Sequence, residues 1–202
     1  MKQRDKNEKI KIPKLYKKLL LIIIVVGPMW WLVFTEDGQR RSDMFMLRLF
    51  SDGPFYLNLK ELDSRFSEEE MHQVYPELSW QCKTEDTPFG DRYCISKIGS
   101  FNDLPADQAV LFFRNHSINA VQVNYRHNYH ETLGKDLRYQ LGNPLPEADL
   151  AKSVPTASKV VHWRTSGGHV ITKQTLDKGE EPALLWLSPA QMASGETPGE
   201  QR

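Results

Sequence analysis

Apolar residues follow three different spacings along this chain. From Leu19 to Phe34 they are continuous: LLLIIIVVGPMWWLVF, sixteen residues without a charge. Further on they recur at helical intervals. Met71, Val74, Tyr75 and Leu78 form one stripe, and Leu133, Leu137 and Leu141 form another. Elsewhere they alternate or run in short blocks, as strands do. Gln108–Arg114 is a continuous apolar strand, and Val121, Val123 and Tyr125 alternate within Ile118–Tyr125.

The helical stripes carry boundary signals. Ser67 and Glu70 form an S-x-x-E capping box, with Phe66 and Met71 placed as a hydrophobic staple. Glu68, Glu69 and Glu70 then read as acids favoured by the helix dipole rather than as an acid cluster. Pro76 ends this helix. The second helix is predicted from Asn128, with Glu131 completing a box, to the stop at Gly142-Asn143-Pro144. Ser79–Thr84 and Arg92–Ile98 read as strands around the turn-rich Thr87–Asp91. Asn115-His116 reads as a hairpin turn, although Asn115-His116-Ser117 also fits a glycosylation sequon. Lys159–Thr165 and His169–Thr175 make a hairpin around Ser166-Gly167-Gly168, and Ala183–Ser188 is a last buried strand.

The predicted order is helix, four strands, helix, three strands. This is an α+β class: a single N-terminal membrane helix, then a mainly antiparallel sheet with two covering helices and a degenerate two-fold repeat. The divisions are a basic tail (1–18), an anchor (19–34), a juxtamembrane linker (35–54), the α+β domain (55–189) and a disordered tail (190–202). Met44–Phe50 is apolar and is expected to join the core.

Charge decides how the apolar run is read. The whole chain is neutral, with 26 Lys/Arg and 26 Asp/Glu. Residues 1–18 hold eight bases and two acids, so the remainder carries an acidic surplus of six. An acidic body offers no footprint for nucleic acid. A basic tail before an apolar run is the pattern of a membrane anchor with its N-terminus cytoplasmic. Sixteen residues span about 24 Å, short of a hydrocarbon core of about 30 Å. Lys17 and Lys18 can snorkel at one interface, while Trp30 and Trp31 suit the other. A cleaved signal peptide is the competing reading, but no small-x-small cleavage site follows the run. A buried core helix sits awkwardly beside the basic residues. The expectation is a single-pass protein of a bacterial inner membrane with a periplasmic domain.

That compartment bears on Cys82 and Cys94, the only two cysteines. In an oxidising compartment they are expected to pair across a hairpin. The C-x11-C spacing is neither a C-x-x-C redox motif nor a zinc site. Two free core thiols are the alternative.

The capped helix ending near Pro76, and the helix ending Leu141-Gly142-Asn143-Pro144 before a Trp163-Arg164 hairpin, resemble small envelope modules. The SmpA/OmlA-like and beta-lactamase-inhibitor-protein-like families share this helix-then-hairpins layout over residues 60–188. The resemblance implies a protein-interaction module. The lipobox of the first family is lacking here.

No G-x-S-x-G, S-x-x-K, H-E-x-x-H or phosphate loop occurs, so no catalytic residue is assigned. The candidate binding surface is Tyr125, His127, Tyr129, His130, His162, Trp163, Arg164 and His169. His127 and His130 give H-x2-H, a spacing that can hold a metal on a helix, yet a third ligand is not evident; no metal and no cofactor are assigned. His162 and His169 flank a turn and can face each other across it. The leading expectation is a membrane-anchored periplasmic module that binds an envelope protein. The rival is an anchored enzyme, or a small-ligand or metal binder, using these histidines. The oligomeric state is left open.

Overall fold

The computed structural model describes residues 13–35, 53–146, 160–177 and 179–194. The chain divides into two compact units, Met1–Phe45 and Met46–Arg202. Met44–Phe50 lies outside the described residues.

The first unit contains helix α1, Lys14–Phe34, which runs unbroken through Pro28. Thr35 closes it, its Oγ1 donating to the Trp31 carbonyl at 2.6 Å. Trp30 and Phe34 stack on one side at 3.9 Å between ring centres. Leu19 to Val26, Trp30, Trp31 and Phe34 all stand exposed. Among the described residues, no helix is long and apolar enough to cross a membrane. The expected spanning helix is therefore not found as such. Lysines at 14, 17 and 18 occupy the start of α1, and the uncharged remainder falls several ångströms short of about 30 Å.

The second unit is α+β. Its elements are β1 (Pro54–Phe55), α2 (Glu68–Val74), β2 (Gln81–Thr87), β3 (Gly90–Lys97), β4 (Ser100–Phe101), β5 (Leu104–Arg114) and β6 (Ser117–Tyr125). A 3-10 turn, His127–Tyr129, leads into α3 (His130–Leu141). Strands β7 (Val160–Arg164), β8 (His169–Lys173) and β9 (Ala183–Leu187) precede α4 (Pro189–Ser194).

The sheet is mixed. Its antiparallel body runs β2-β3-β5-β6-β9-β8-β7, with β4 beside the start of β5 and β1 parallel to β4. The last long strand of each half, β6 and β9, meet antiparallel at the centre. The two-residue strands β1 and β4 were not expected from the sequence. They are joined through Asn102, whose side chain bonds both the N–H and the C=O of Leu57 at 2.9 and 3.0 Å.

Strand alternation sorts side chains between two faces. One face carries Cys94, Leu111, Val121, Val123, Trp163, Val170, Leu184 and Trp186, and both α2 (Met71) and α3 (Leu133, Leu137) bury into it. The other carries Val110, Phe112, Ala120, Ile171 and Leu187, packed by Phe89 and by Met192 of α4. Both longer helices thus cover the same face.

The capping box forms as the sequence predicts. Ser67 N–H donates to Glu70 at 2.8 Å, and Glu70 N–H donates to Ser67 Oγ at 3.2 Å. The second predicted box does not form. Helix α3 begins at His130, with Tyr129 in the cap position and no side-chain cap. Asn128 is taken into the 3-10 turn instead, because burial of Tyr129 fixes the chain there.

The tail expected to be disordered from residue 190 is folded through Ser194. Ser188 caps α4 by accepting from Gln191 N–H at 3.1 Å. Residues 195–202 lie outside the described residues.

Candidate functional site

His162 lies in β7 and His169 begins β8, on either side of the Ser166-Gly167-Gly168 turn. The turn is tight because it has to fit beneath neighbouring backbone. A Cβ at Gly167 would sit 2.1 Å from the Leu62 carbonyl oxygen, and one at Gly168 would sit 2.5 Å from that of Leu187. Ser166 Oγ also donates to the Lys60 carbonyl at 2.7 Å.

The two imidazoles do face each other. His162 Nε2 and His169 Nδ1 are 2.7 Å apart, so one nitrogen donates and the other accepts. His162 is buried. Burial, with His169 and Arg164 nearby, lowers the His162 pKa to about 4. Burial also lowers that of His169, with Arg164 adding to the effect. At neutral pH the pair is uncharged and shares one hydrogen bond.

Trp163 does not join that pair. In the β7–β8 register His162 lies opposite Ile171 and Trp163 opposite Val170. Ile171 and Val170 belong to opposite faces. Trp163 is 2% exposed, and its Nε1–H donates to the Gly142 carbonyl at 3.0 Å, fastening the end of α3 to the sheet. Arg164 stays exposed beside His169. The polar-aromatic patch expected from Trp163 with the two histidines is therefore divided by the two-residue strand period.

The Tyr125–His130 region forms a second cluster. Tyr125 Oη lies 2.7 Å from His130 Nδ1 and 3.2 Å from Thr172 Oγ1. His130 Nε2 approaches the Gln174 carbonyl at 3.4 Å, and Thr172 Oγ1 donates to the Ala183 carbonyl at 3.2 Å. A carbonyl can only accept, so Nε2 is the donor in the contact with Gln174. Burial raises the Tyr125 pKa, so the phenol is a donor at neutral pH. The cluster ties the start of α3 to the ends of β6 and β8. His127 is exposed and Tyr129 is buried. His130 is committed to Tyr125, so the H-x2-H spacing does not present two free ligands.

Cys82 and Cys94 form a disulfide across β2 and β3, the pairing expected across this hairpin. Beside them Glu68 receives Arg92 in a two-pronged pair, at 2.5 and 2.8 Å. The guanidinium holds the Glu68 carboxyl below its ordinary range. Glu68 and the two sulfurs lie close enough to suggest metal ligands. The sulfurs are bonded to each other, however, and the carboxylate is occupied by Arg92.

Sequence reasoning missed one buried polar cluster. Asn119 Nδ2 donates to the Phe89 carbonyl and to Gln191 Oε1, both at 2.6 Å, while Ser188 Oγ donates to Asn119 Oδ1 at 2.6 Å. Gln191 Nε2 donates to the Pro88 carbonyl at 2.9 Å. The Ser188-x-x-Gln191 spacing is the signal that could have revealed α4. An open depression lined by Glu61, Leu62, Asp63, Arg65, Phe66 and Glu70 completes the polar features. Asp63 and Arg65 pair within it at 2.6 Å.

No protein family, curated protein or solved structure matches this chain.

Proposed function

We propose that this chain is a membrane-anchored protein-interaction module of the bacterial envelope, with α1 in the inner membrane and the α+β unit in the periplasm. The observation that carries the reading is the exposed apolar circumference of α1. Leu19, Leu20, Leu21, Ile22, Ile23 and Ile24 point in all directions around the helix, and each is about half exposed or more. A helix that is apolar on every side needs an apolar surrounding. Snorkelling of Lys17 and Lys18 offsets the short span, and the tail's positive charge favours the cytoplasm. The Cys82–Cys94 bridge suits an oxidising compartment.

The rival reading, a ligand or metal site built on the histidines, is disfavoured by what these side chains are doing. Within the candidate surface, His130, His162 and Trp163 are engaged inside the fold. The test has two arms. Alkaline extraction of membranes should leave the full-length chain in the pellet, with the α+β unit digested by protease in spheroplasts; release into the supernatant would remove the anchor. Crosslinking of the tagged chain in living cells should yield a discrete envelope protein; recovery of the folded chain without one would remove the partner.

A further inference from the structure

Strand β2 is the outermost strand on its side of the sheet, pairing only with β3. Cys82 and Cys94 are directly opposed, with their Cα atoms 4.0 Å apart. That short spacing marks a pair whose backbone groups do not bond each other. The N–H and C=O of Cys82 therefore point away from β3, and those of Thr84, two residues on, do the same. Among the described residues, no strand lies on this outer side. Lys83, Thr84, Glu85 and Asp86 are all exposed.

Charged edge strands normally resist indiscriminate pairing. The charges at Lys83 and Glu85 are complementary when a second β2 is laid antiparallel. We propose that β2 pairs antiparallel with β2 of a second copy of this chain, centred on Thr84. Thr84 then faces its own symmetry mate, and the two outward N–H and C=O groups exchange hydrogen bonds. The same register sets Lys83 opposite Glu85 of the other copy, twice. These are the closely spaced positions of the ladder, where opposite charges attract and like charges repel. Tyr93 Oη donates to Glu85 at 3.3 Å, which holds that carboxylate on the sheet face Lys83 shares. Centring the pair on Lys83 instead would oppose two lysines and bring together backbone groups that already bond β3.

The bulge between Thr84 and Thr87 ends the ladder early. The dimer is therefore small and dissociates on dilution, with its specificity set by charge. This inference goes beyond the envelope reading, because its partner is a second copy and its test reads mass rather than location.

The test is sedimentation velocity of the full chain in detergent micelles, over a range of protein concentrations. Wild type should show a monomer–dimer equilibrium. K83E places acid against acid, E85K places base against base, and each should weaken the dimer about tenfold. An equimolar mixture of K83E with E85K should restore it as a heterodimer, because each copy then supplies the charge the other lacks. Restoration also shows that both variants are folded. A wild type that stays monomeric throughout would overturn the proposal. So would single variants that dimerise as wild type does, or a mixture that stays monomeric.

Discussion

At the residue scale, the most consequential contact is His162 against His169. The lowered pKa of His162, about 4 against an ordinary 6.5, means that the unfolded chain binds a proton before the folded chain does. Stability is full above about pH 6.5 and is lost as pH falls toward about 4, by on the order of 2 kcal/mol. His169 shifts in the same direction and steepens the loss. Urea unfolding at pH 7.5 and pH 5 should show the drop, and His162→Phe should flatten it; an unchanged slope would refute the assignment. Two glycines give an opposed pair of outcomes. Gly167→Ala drives a methyl into the Leu62 carbonyl and should destabilise by about 2 kcal/mol or more. Gly134→Ala, in α3 with nothing within 4 Å, should stabilise by about 0.5–1 kcal/mol. Thermal melts read both. The facing histidines were legible from their spacing around a glycine turn. Their isolation from Trp163 was not, because it depends on which face of the sheet each residue takes.

At the element scale, local signals succeeded where the chain obeys them locally. The Ser67 box is a contact between residues three apart, and it forms. The Asn128 box fails because Tyr129 is drawn into the core, and tertiary burial outweighs a cap of about 1 kcal/mol. Helix α4 is the reverse case. Its sequence is small and polar, and it folds because Gln191 and Ser188 complete the hydrogen bonds of Asn119 and the Pro88–Phe89 corner. Asn119→Ala leaves several buried partners unpaired and should cost about 2–4 kcal/mol. Hydrogen exchange should then show α4 losing protection before the rest of the sheet. Equal loss everywhere would mean that α4 is not held by this cluster.

At the scale of the whole molecule, the disulfide ties edge strand β2 to the body of the sheet across a sequence separation of 12. Its effect falls mainly on the unfolded chain. Replacing both cysteines by alanine should lower stability by about 3 kcal/mol, with the far-ultraviolet spectrum retained; a loss well under 1 kcal/mol would show that the loop contributes little. Periodicity, caps and turns determined the seven longer strands, two of the helices and the α+β class, because each rests on contacts between residues near in sequence; the cysteine pairing was expected from the compartment and the turn between the two strands, with two free thiols left open. The tertiary structure alone decided that both longer helices share one face, that β6 and β9 meet at the centre, and that β1 joins β4. It also decided that the expected binding surface splits in two. Those outcomes depend on strand register and on which faces must be buried together, and neither is set by neighbours along the chain.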